Sequence, residues 1–145
     1  MIKKMNIVVV GLGNIGSYFY DYLQKNKNIL FNKTNTVPNI LYVSARSLGK
    51  KRGIKIPKNK WLKNCISATK IKDVDIIVEL IGGAEGIAKK LVFEALKNKK
   101  HVITANKALV AKYGDQLAKI AEKNKVNFEF EAAVCGGIPI IRSIK

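Results

Sequence analysis

The feature that most restricts how this chain can fold is an apolar run that leads directly into a glycine-rich turn. Residues 5–10 are apolar enough to form a strand covered on both faces, as in a parallel sheet flanked by helices. The turn that follows is Gly11-Leu12-Gly13-Asn14-Ile15-Gly16, and residues 15–25 after it have helical periodicity. A strand, a glycine turn and a helix in this order predict an α/β fold.

The spacing of the glycines in this turn is the pattern of a dinucleotide-binding site. Gly11 would permit the tight turn, Gly13 would let a pyrophosphate approach the backbone, and Gly16 would let the helix pack closely on the strand. The amides at the start of the helix would then bind the phosphates. We therefore predict that a dinucleotide contacts Gly11, Leu12, Gly13, Asn14, Ile15 and Gly16. The alternative is a glycine turn without a ligand.

The rest of the chain alternates apolar runs with amphipathic segments, as strands joined by helices do. We predict strands at residues 39–45, 75–80, 101–104 and 126–130, and helices at residues 84–98 and 107–124. Residues 26–38 are expected to form a loop, and residues 46–72 mostly a loop with one short helix. The first helix is expected to bury Tyr18, Phe19 and either Tyr22 or Leu23. The predicted fold class is α/β, a Rossmann-type doubly wound, mainly parallel sheet with helices on both faces.

Composition and charge argue against several classes of protein. The 145 residues suffice for one domain, and no apolar run approaches the roughly 20 residues that cross a bilayer. The basic start leads into the glycine turn without a cleavage site, so we interpret it as part of a strand and expect a cytoplasmic protein. Cys65 and Cys135 lack metal-ligand spacing, which fits a reducing compartment. The net charge of +17 comes mostly from dispersed lysines, so no nucleic-acid partner is expected.

The end of the second predicted strand indicates which dinucleotide would bind. A carboxylate at this position accepts a hydrogen bond from the 2′-hydroxyl of NAD. No acidic residue occurs between Asp21 and Asp73, and the strand ends instead at Ala45-Arg46-Ser47, followed by Lys50, Lys51 and Arg52. Cationic side chains can pair with a 2′-phosphate. We therefore predict that NADP(H) is preferred over NAD(H), with Arg46 as the first candidate ligand. The alternative is that the basic run is a solvated loop.

Three later segments, together with GLGNIG, resemble signatures of the homoserine dehydrogenase family in the same order: VELIGG at residues 78–83, TANKALVA at 104–111 and EAAVCGGIPII at 131–141. The resemblance implies an NAD(P)-dependent enzyme that interconverts L-homoserine and L-aspartate 4-semialdehyde by hydride transfer, in threonine, methionine and isoleucine biosynthesis. It implies a catalytic role for Lys107 at the junction of nicotinamide and substrate. The further cofactor contacts expected in these segments are Ile81, Gly82, Gly83, Thr104, Ala105 and Lys107.

The last of these segments resembles the loop with which the family binds a monovalent cation. The resemblance implies a sodium ion held by the carboxylate of Glu131 and the backbone carbonyls of Val134, Gly136 and Ile138. Hard oxygen ligands with one formal charge suit such an ion better than a transition metal.

Glu79 and His101 are two further acid–base residues. Glu79 is either a charged group near the site or a hydrogen-bonded carboxyl group at a strand end. The lone His101 is assigned no catalytic role.

The resemblance also implies a domain organisation. Residues 1–130 would form the dinucleotide-binding domain, and residues 131–145 the start of a link to a substrate and dimerisation domain outside this chain. The chain alone would then bind cofactor without turnover, and the intact enzyme would be a homodimer or larger. The segment at residues 26–38 is long for the family, and Arg46-Ser47 replaces its common Arg-Asp pair. The alternatives are another amino-acid or semialdehyde dehydrogenase, or a non-catalytic dinucleotide- or nucleic-acid-binding module.

Overall fold

The computed structural model describes residues 3–47, 49–134, 138 and 143–144. Its strands are β1 (Lys3–Val10), β2 (Thr36–Ser44), β3 (Ile76–Glu79), β4 (His101–Thr104) and β5 (Phe128–Glu129). Its α-helices are α1 (Asn14–Lys25), α2 (Lys27–Thr34), α3 (Ile87–Lys97) and α4 (Lys107–Asn124). Short 3-10 helices lie at Lys58–Lys60, Cys65–Lys70 and Glu131–Ala133. None of the helices described here is both long enough and apolar enough to cross a bilayer.

The strands form one parallel sheet in the order β2-β1-β3-β4-β5. From β1 the chain goes to β2 at one edge, and then crosses back to β3 on the other side of β1. The direction of winding therefore reverses between β1 and β3. Ligands of open parallel sheets bind beyond the carboxyl ends of the strands at such a reversal.

The two faces of β1 belong to two separate hydrophobic cores. Val8 and Val10 pack in a core that contains residues of α3 and α4. Ile7 and Val9 lie in the other core, together with Tyr20 of α1 and residues of β2. Alternate residues of a strand point to opposite faces of the sheet. Helices therefore cover both faces, and the predicted Rossmann-type fold class is confirmed.

The predicted loop at residues 26–38 is wrong. Helix α2 follows α1 after Asn26 and ends at Thr34, and its C-cap Asn35 has a left-handed conformation with φ 52°. No residue of α2 is fully buried, and its sequence lacks the apolar periodicity that indicates a helix. The sequence pattern therefore did not predict this helix. Strand β2 begins at Thr36 and includes Pro38. An edge strand tolerates proline because part of its backbone has no partner strand.

The prediction that α1 buries Tyr18 is also wrong. The side chains of Tyr18 and Tyr22 are 71% and 42% exposed, and their rings stack with centroids 6.1 Å apart. Tyr20 and Leu23 are buried instead, and Phe19 is partly buried. Apolar residues occur on several sides of this helix, so periodicity alone did not select the side that packs on the sheet.

The other predicted elements are confirmed, with shifted boundaries in several cases. The bounds of β4 and α4 agree with the prediction. Helix α3 begins three residues late because Gly86 has φ 71°, which is not helical. Strand β5 is two residues long. Residues 46–72 contain two short 3-10 helices where one short helix was expected.

Candidate cofactor-binding site

The glycine turn follows β1 at the point where the winding reverses. Gly11 has φ +101°, which L side chains rarely adopt, and its amide donates a 2.9 Å hydrogen bond to the carbonyl oxygen of Ser44. A Cβ atom on Gly11 would lie 2.4 Å from the backbone oxygen of Leu80, just after β3. Glycine is therefore required for the turn to pass between the ends of β2 and β3.

The other two glycines of the turn differ in what surrounds them. A Cβ atom on Gly16 would lie 1.9 Å from the backbone oxygen of Gly11, so Gly16 lets α1 start close to the turn. A Cβ atom on Gly13 would have no protein atom within 4 Å. Gly16 thus has a packing role, whereas Gly13 borders open space.

The start of α1 adjoins this open space. Gly13 is the N-cap of α1, and no side chain caps the helix. The first amides of a helix have no partner inside the helix, and the helix dipole makes this end electropositive. A phosphate group fits such a helix start. The residues present therefore suit the pyrophosphate of a dinucleotide.

A cavity of ≈ 640 Å³ extends from the glycine turn across the ends of β2 and β3. A second cavity of ≈ 410 Å³ adjoins it and shares the lining residues Leu12, Gly13, Lys50 and Arg52. No acidic residue is among the lining residues described for the larger cavity, but four basic ones are: Arg46, Lys50, Arg52 and Lys63. The cavity is therefore electropositive next to the end of β2.

Arg52 joins the basic segment to the glycine turn. Its Nε donates a 3.0 Å hydrogen bond to the carbonyl oxygen of Leu12. Its terminal nitrogens donate to the carbonyl oxygens of Lys50 and Ser47, and its guanidinium lies 5.6 Å from the ring centroid of Trp61. These contacts give Arg52 a structural role. Arg46 is exposed and has no hydrogen-bond or ion-pair partner among the described residues.

Glu79 ends β3 and is completely buried. Its Oε1 accepts hydrogen bonds from the amides of Ile81 and Gly82, and its Oε2 accepts one from the hydroxyl of Thr104. Of the two predicted roles, the hydrogen-bonded carboxyl group at a strand end is the one observed. Glu79 connects the loop after β3 to the end of β4.

Lys107 is the first residue of α4 and is exposed. The side chain of Asn106 caps this helix by accepting a 3.1 Å hydrogen bond from the amide of Leu109. Within the described part of the chain, Lys107 has no hydrogen-bond or ion-pair partner. Its ammonium group is therefore available to a ligand at the carboxyl edge of the sheet.

The structure places only part of the predicted cofactor set at the two cavities. The predicted residues that line them are Gly11, Leu12, Gly13, Asn14, Arg46 and Ile81. Those that do not are Ile15, Gly16, Gly82, Gly83, Thr104, Ala105 and Lys107. Ile15 is 66% exposed beside the turn, and Gly16 is buried in packing. The others lie in the loop after β3 or at the junction of β4 and α4.

Sequence reasoning missed lining residues in the segment before β3. Lys63, Asn64 and Cys65 reach the larger cavity because Trp61 forms a parallel bridge with Val43 of β2. This segment has no periodicity or motif from which its path could be predicted. Burial raises the pKa of the Cys65 thiol, which makes it a poor nucleophile.

The residues predicted to bind a cation lie partly outside the described residues. Glu131 begins a short 3-10 helix, Val134 follows that helix, and Ile138 is 61% exposed. Gly136 lies outside the described residues. Where the structure describes the chain, no three His, Cys, Asp or Glu side chains form a group that could hold a metal ion.

His101, to which no catalytic role was assigned, forms a hydrogen bond within the protein. Its ring nitrogen Nδ1 accepts a hydrogen bond from the backbone amide of Asn127.

Comparison with known proteins assigns the chain to a family. The family model described as homoserine dehydrogenase, NAD-binding domain, matches residues 11–131. A homoserine dehydrogenase of Neisseria gonorrhoeae is 40% identical over 99% of this chain and 33% of that protein, and one of Bacillus subtilis is 37% identical over the same shares. The crystal structure of a homoserine dehydrogenase from Thiobacillus denitrificans has a TM-score of 0.88 at 36% identity, over 98% of this chain and 32% of that one.

The chain spans about a third of the length of the curated relatives it matches. The matched residues include the glycine turn and every strand after β1. The chain therefore belongs to the homoserine dehydrogenase family and corresponds to its NAD-binding domain.

Proposed function

We propose that this chain binds NADP(H) and supplies the cofactor-binding part of an enzyme that interconverts L-homoserine and L-aspartate 4-semialdehyde. The observation on which the proposal rests is the match of residues 11–131 to the family's NAD-binding domain, with an open, electropositive space over Gly13. The homologous proteins are homoserine dehydrogenases, which supports the substrate assignment.

The residues of this chain would bind and orient the cofactor. The start of α1 would hold the pyrophosphate over Gly13, and the basic lining at the end of β2 would hold the adenosine ribose. The bound nicotinamide ring would accept or release a hydride. The loop after β3 and Lys107 at the start of α4 lie at the same sheet edge, where this ring would bind.

Support for a 2′-phosphate comes from the charges at the end of β2. Arg46, Lys50 and Lys63 line the larger cavity there, and none of the described lining residues of that cavity is an acidic residue that could accept from a 2′-hydroxyl. Arg52 already donates to backbone carbonyls, whereas Arg46 is exposed. Arg46 is therefore the best placed to form charge-assisted hydrogen bonds with a phosphate.

Replacing Arg46 tests the cofactor preference. We expect Arg46→Ala to lower the affinity for NADPH about tenfold, or about 1.4 kcal/mol, and to leave the affinity for NADH unchanged. Isothermal titration calorimetry with both cofactors measures this. Lys119→Ala removes one charge from an exposed position of α4 that lines neither cavity, and should change neither affinity. Equal affinity for NADPH and NADH in the wild-type protein would contradict the preference.

Replacing Lys107 tests the catalytic part of the proposal. An ammonium group beside the reacting oxygen would stabilise negative charge there or transfer a proton. In the complete protein, Lys107→Ala should lower kcat for homoserine oxidation about 100-fold or more and change NADPH affinity little. Steady-state kinetics with Lys119→Ala as the matched lysine control measures this. A wild-type kcat for Lys107→Ala would exclude this role.

We also propose a sodium ion at Glu131, Val134, Gly136 and Ile138. The support is the resemblance of residues 131–141 to the family's cation loop, together with oxygen donors that suit Na⁺. Bound Na⁺ would stabilise the folded protein by mass action. A melting temperature that stays the same when N-methylglucamine replaces sodium would contradict this site.

A further inference from the structure

We propose that Glu79, Thr104 and Asn106 are positioning residues that set the distance between the Gly82-Gly83 loop and Lys107. The inference rests on the proposed function, because Lys107 matters only if it acts at the nicotinamide end of the site. Neither Glu79 nor Asn106 lines either cavity. They would therefore act on the reaction through the residues that they hold in place.

The first step of the argument is the buried carboxyl group of Glu79. Its Oε1 is 2.7 Å from the amide nitrogen of Ile81 and 3.1 Å from that of Gly82. Its Oε2 is 2.5 Å from Oγ1 of Thr104. The hydroxyl group of Thr104 has one hydrogen, and it donates that hydrogen to Glu79. Thr104 and Glu79 are both fully buried. Water therefore does not compete for the hydrogen bond between Glu79 and Thr104, which connects the end of β3 to the end of β4.

The second step is that Thr104 also forms a hydrogen bond with Asn106. Because its hydroxyl hydrogen is used on Glu79, the oxygen of Thr104 serves as the acceptor for the amide of Asn106, at 3.0 Å. The side chain of Asn106 then makes two separate contacts. Its Oδ1 accepts from the amide of Leu109 at 3.1 Å, and its Nδ2 donates to the carbonyl oxygen of Gly83 at 2.7 Å. Capping α4 requires only the first contact.

The third step is that hydrogen bonds, rather than side-chain packing, hold Gly82 and Gly83. Gly82 and Gly83 have φ +85° and +84°, both are exposed, and a Cβ atom on either would meet nothing within 4 Å. Gly82 and Gly83 thus have no side chains that could anchor them. Lys107 directly follows Asn106 in the chain. The contact between Asn106 and Gly83 therefore spans the gap between the loop and the start of α4 that presents Lys107.

The test separates the two contacts of Asn106 in the complete protein. Asn106→Ser keeps a capping oxygen for α4 but has no amide to reach Gly83. We expect kcat for homoserine oxidation to fall about 10- to 100-fold, because small displacements of reacting groups have effects of this size. KM for homoserine should stay near the wild-type value, and the melting temperature should shift by less than about 4 °C. Thr104→Val should act similarly, and Thr104→Ser should restore kcat.

A second readout reports on the loop independently of activity. Hydrogen-exchange mass spectrometry should show faster exchange in peptides covering residues 80–86 for Asn106→Ser and for Thr104→Val. The matched control is Asn124→Ser. The side-chain amide of Asn124 also donates to a backbone carbonyl, that of Leu96, but Asn124 lies at the opposite end of α4 from Lys107. This control should leave both kcat and the exchange of residues 80–86 unchanged.

Two outcomes would overturn the inference. Wild-type kcat and wild-type exchange in Asn106→Ser would do so, as would an equal loss of kcat in Asn124→Ser. Failure of the proposed function looks different, because Lys107→Ala would then retain kcat or the wild-type protein would not oxidise homoserine. In that case the exchange of residues 80–86 still decides whether the contact with Asn106 holds the loop.

Discussion

At the scale of single residues, the three glycines of the turn meet three different physical requirements. Gly11 needs a positive φ and leaves room for the backbone of Leu80. Gly16 needs the absence of a Cβ atom because α1 begins against the oxygen of Gly11. Gly13 meets neither requirement, since its φ is −75° and open space lies above it. The fold therefore does not require a glycine at position 13, whereas the proposed pyrophosphate site would.

Substitution by alanine distinguishes these requirements. Gly13→Ala should cost at most about 1 kcal/mol of stability, as a change of N-cap residue. Its added methyl group would occupy the space of the phosphate and lower NADPH affinity about tenfold, or about 1.4 kcal/mol. Urea unfolding and calorimetric titration measure the two effects. Gly16→Ala is the contrasting variant and should lose at least about 2 kcal/mol through overpacking. Unchanged NADPH affinity in Gly13→Ala would contradict the placement of the pyrophosphate.

At the scale of elements, a polar cluster joins the loop before α3 to the middle of α4. Glu85 accepts hydrogen bonds from Lys112 at 2.6 Å, from Lys89 at 3.3 Å and from the hydroxyl of Tyr113. The ammonium of Lys89 also lies 4.1 Å from the ring centroid of Tyr113. The hydrogen bonds from Lys112 and then from Tyr113 lower the pKa of Glu85 from 4.5 to about 2. The cluster holds the loop that follows Gly82 and Gly83 from its other end.

The lowered pKa of Glu85 predicts a pH dependence with a definite sign. Because the pKa in the folded protein lies below its ordinary value, the ionised carboxylate stabilises the fold above pH 4.5. This contribution is lost as the pH falls from about 4.5 to about 2. Glu85→Gln should therefore lower the melting temperature at neutral pH, and the difference from wild type should shrink over this acid range.

Thermal unfolding followed by circular dichroism at several pH values measures the difference. The control is Glu94→Gln, which removes an ion pair with Lys97 at 3.9 Å that should contribute little. A difference between wild type and Glu85→Gln that stays constant down to pH 2 would contradict the role of the cluster.

At the scale of the whole molecule, charge is the dominant property. The chain has 27 Lys and Arg residues against 10 Asp and Glu residues, which gives a net charge of +17. A field of this sign attracts anionic ligands before any specific contact forms. Because four basic residues line the larger cavity, the local and global fields act in the same direction there.

This field predicts how salt affects cofactor binding. NADPH has one more phosphate group than NADH, so its binding should weaken more as ions screen the charges. The Debye length shortens as the NaCl concentration rises from about 0.05 M to about 0.5 M. The Kd values for NADPH and NADH should therefore become more similar over this range. Fluorescence titration with both cofactors at each salt concentration measures the ratio of the two Kd values. A ratio independent of salt would show that the 2′-phosphate does not meet the basic residues.

The features that could be predicted from the sequence depend on neighbouring residues. The glycine turn, the apolar strands and helix α4 are examples. The bounds of α4 were predicted because Asn106 is a capping residue and the apolar residues after it recur at helical spacing. The Rossmann-type order of elements follows from the alternation of such segments. The segments GLGNIG, VELIGG and TANKALVA lie where β1, β3 and β4 end, at one edge of the sheet.

The tertiary structure decided what depends on packing between distant parts of the chain. It selected Tyr20 rather than Tyr18 for the core, because only one side of α1 meets the sheet. It formed α2 without an amphipathic pattern, and it brought Lys63 to the end of β2 through the bridge at Trp61. It also buried Glu79 between two loops. Such contacts join residues that are far apart in sequence, so no local pattern of side chains records them.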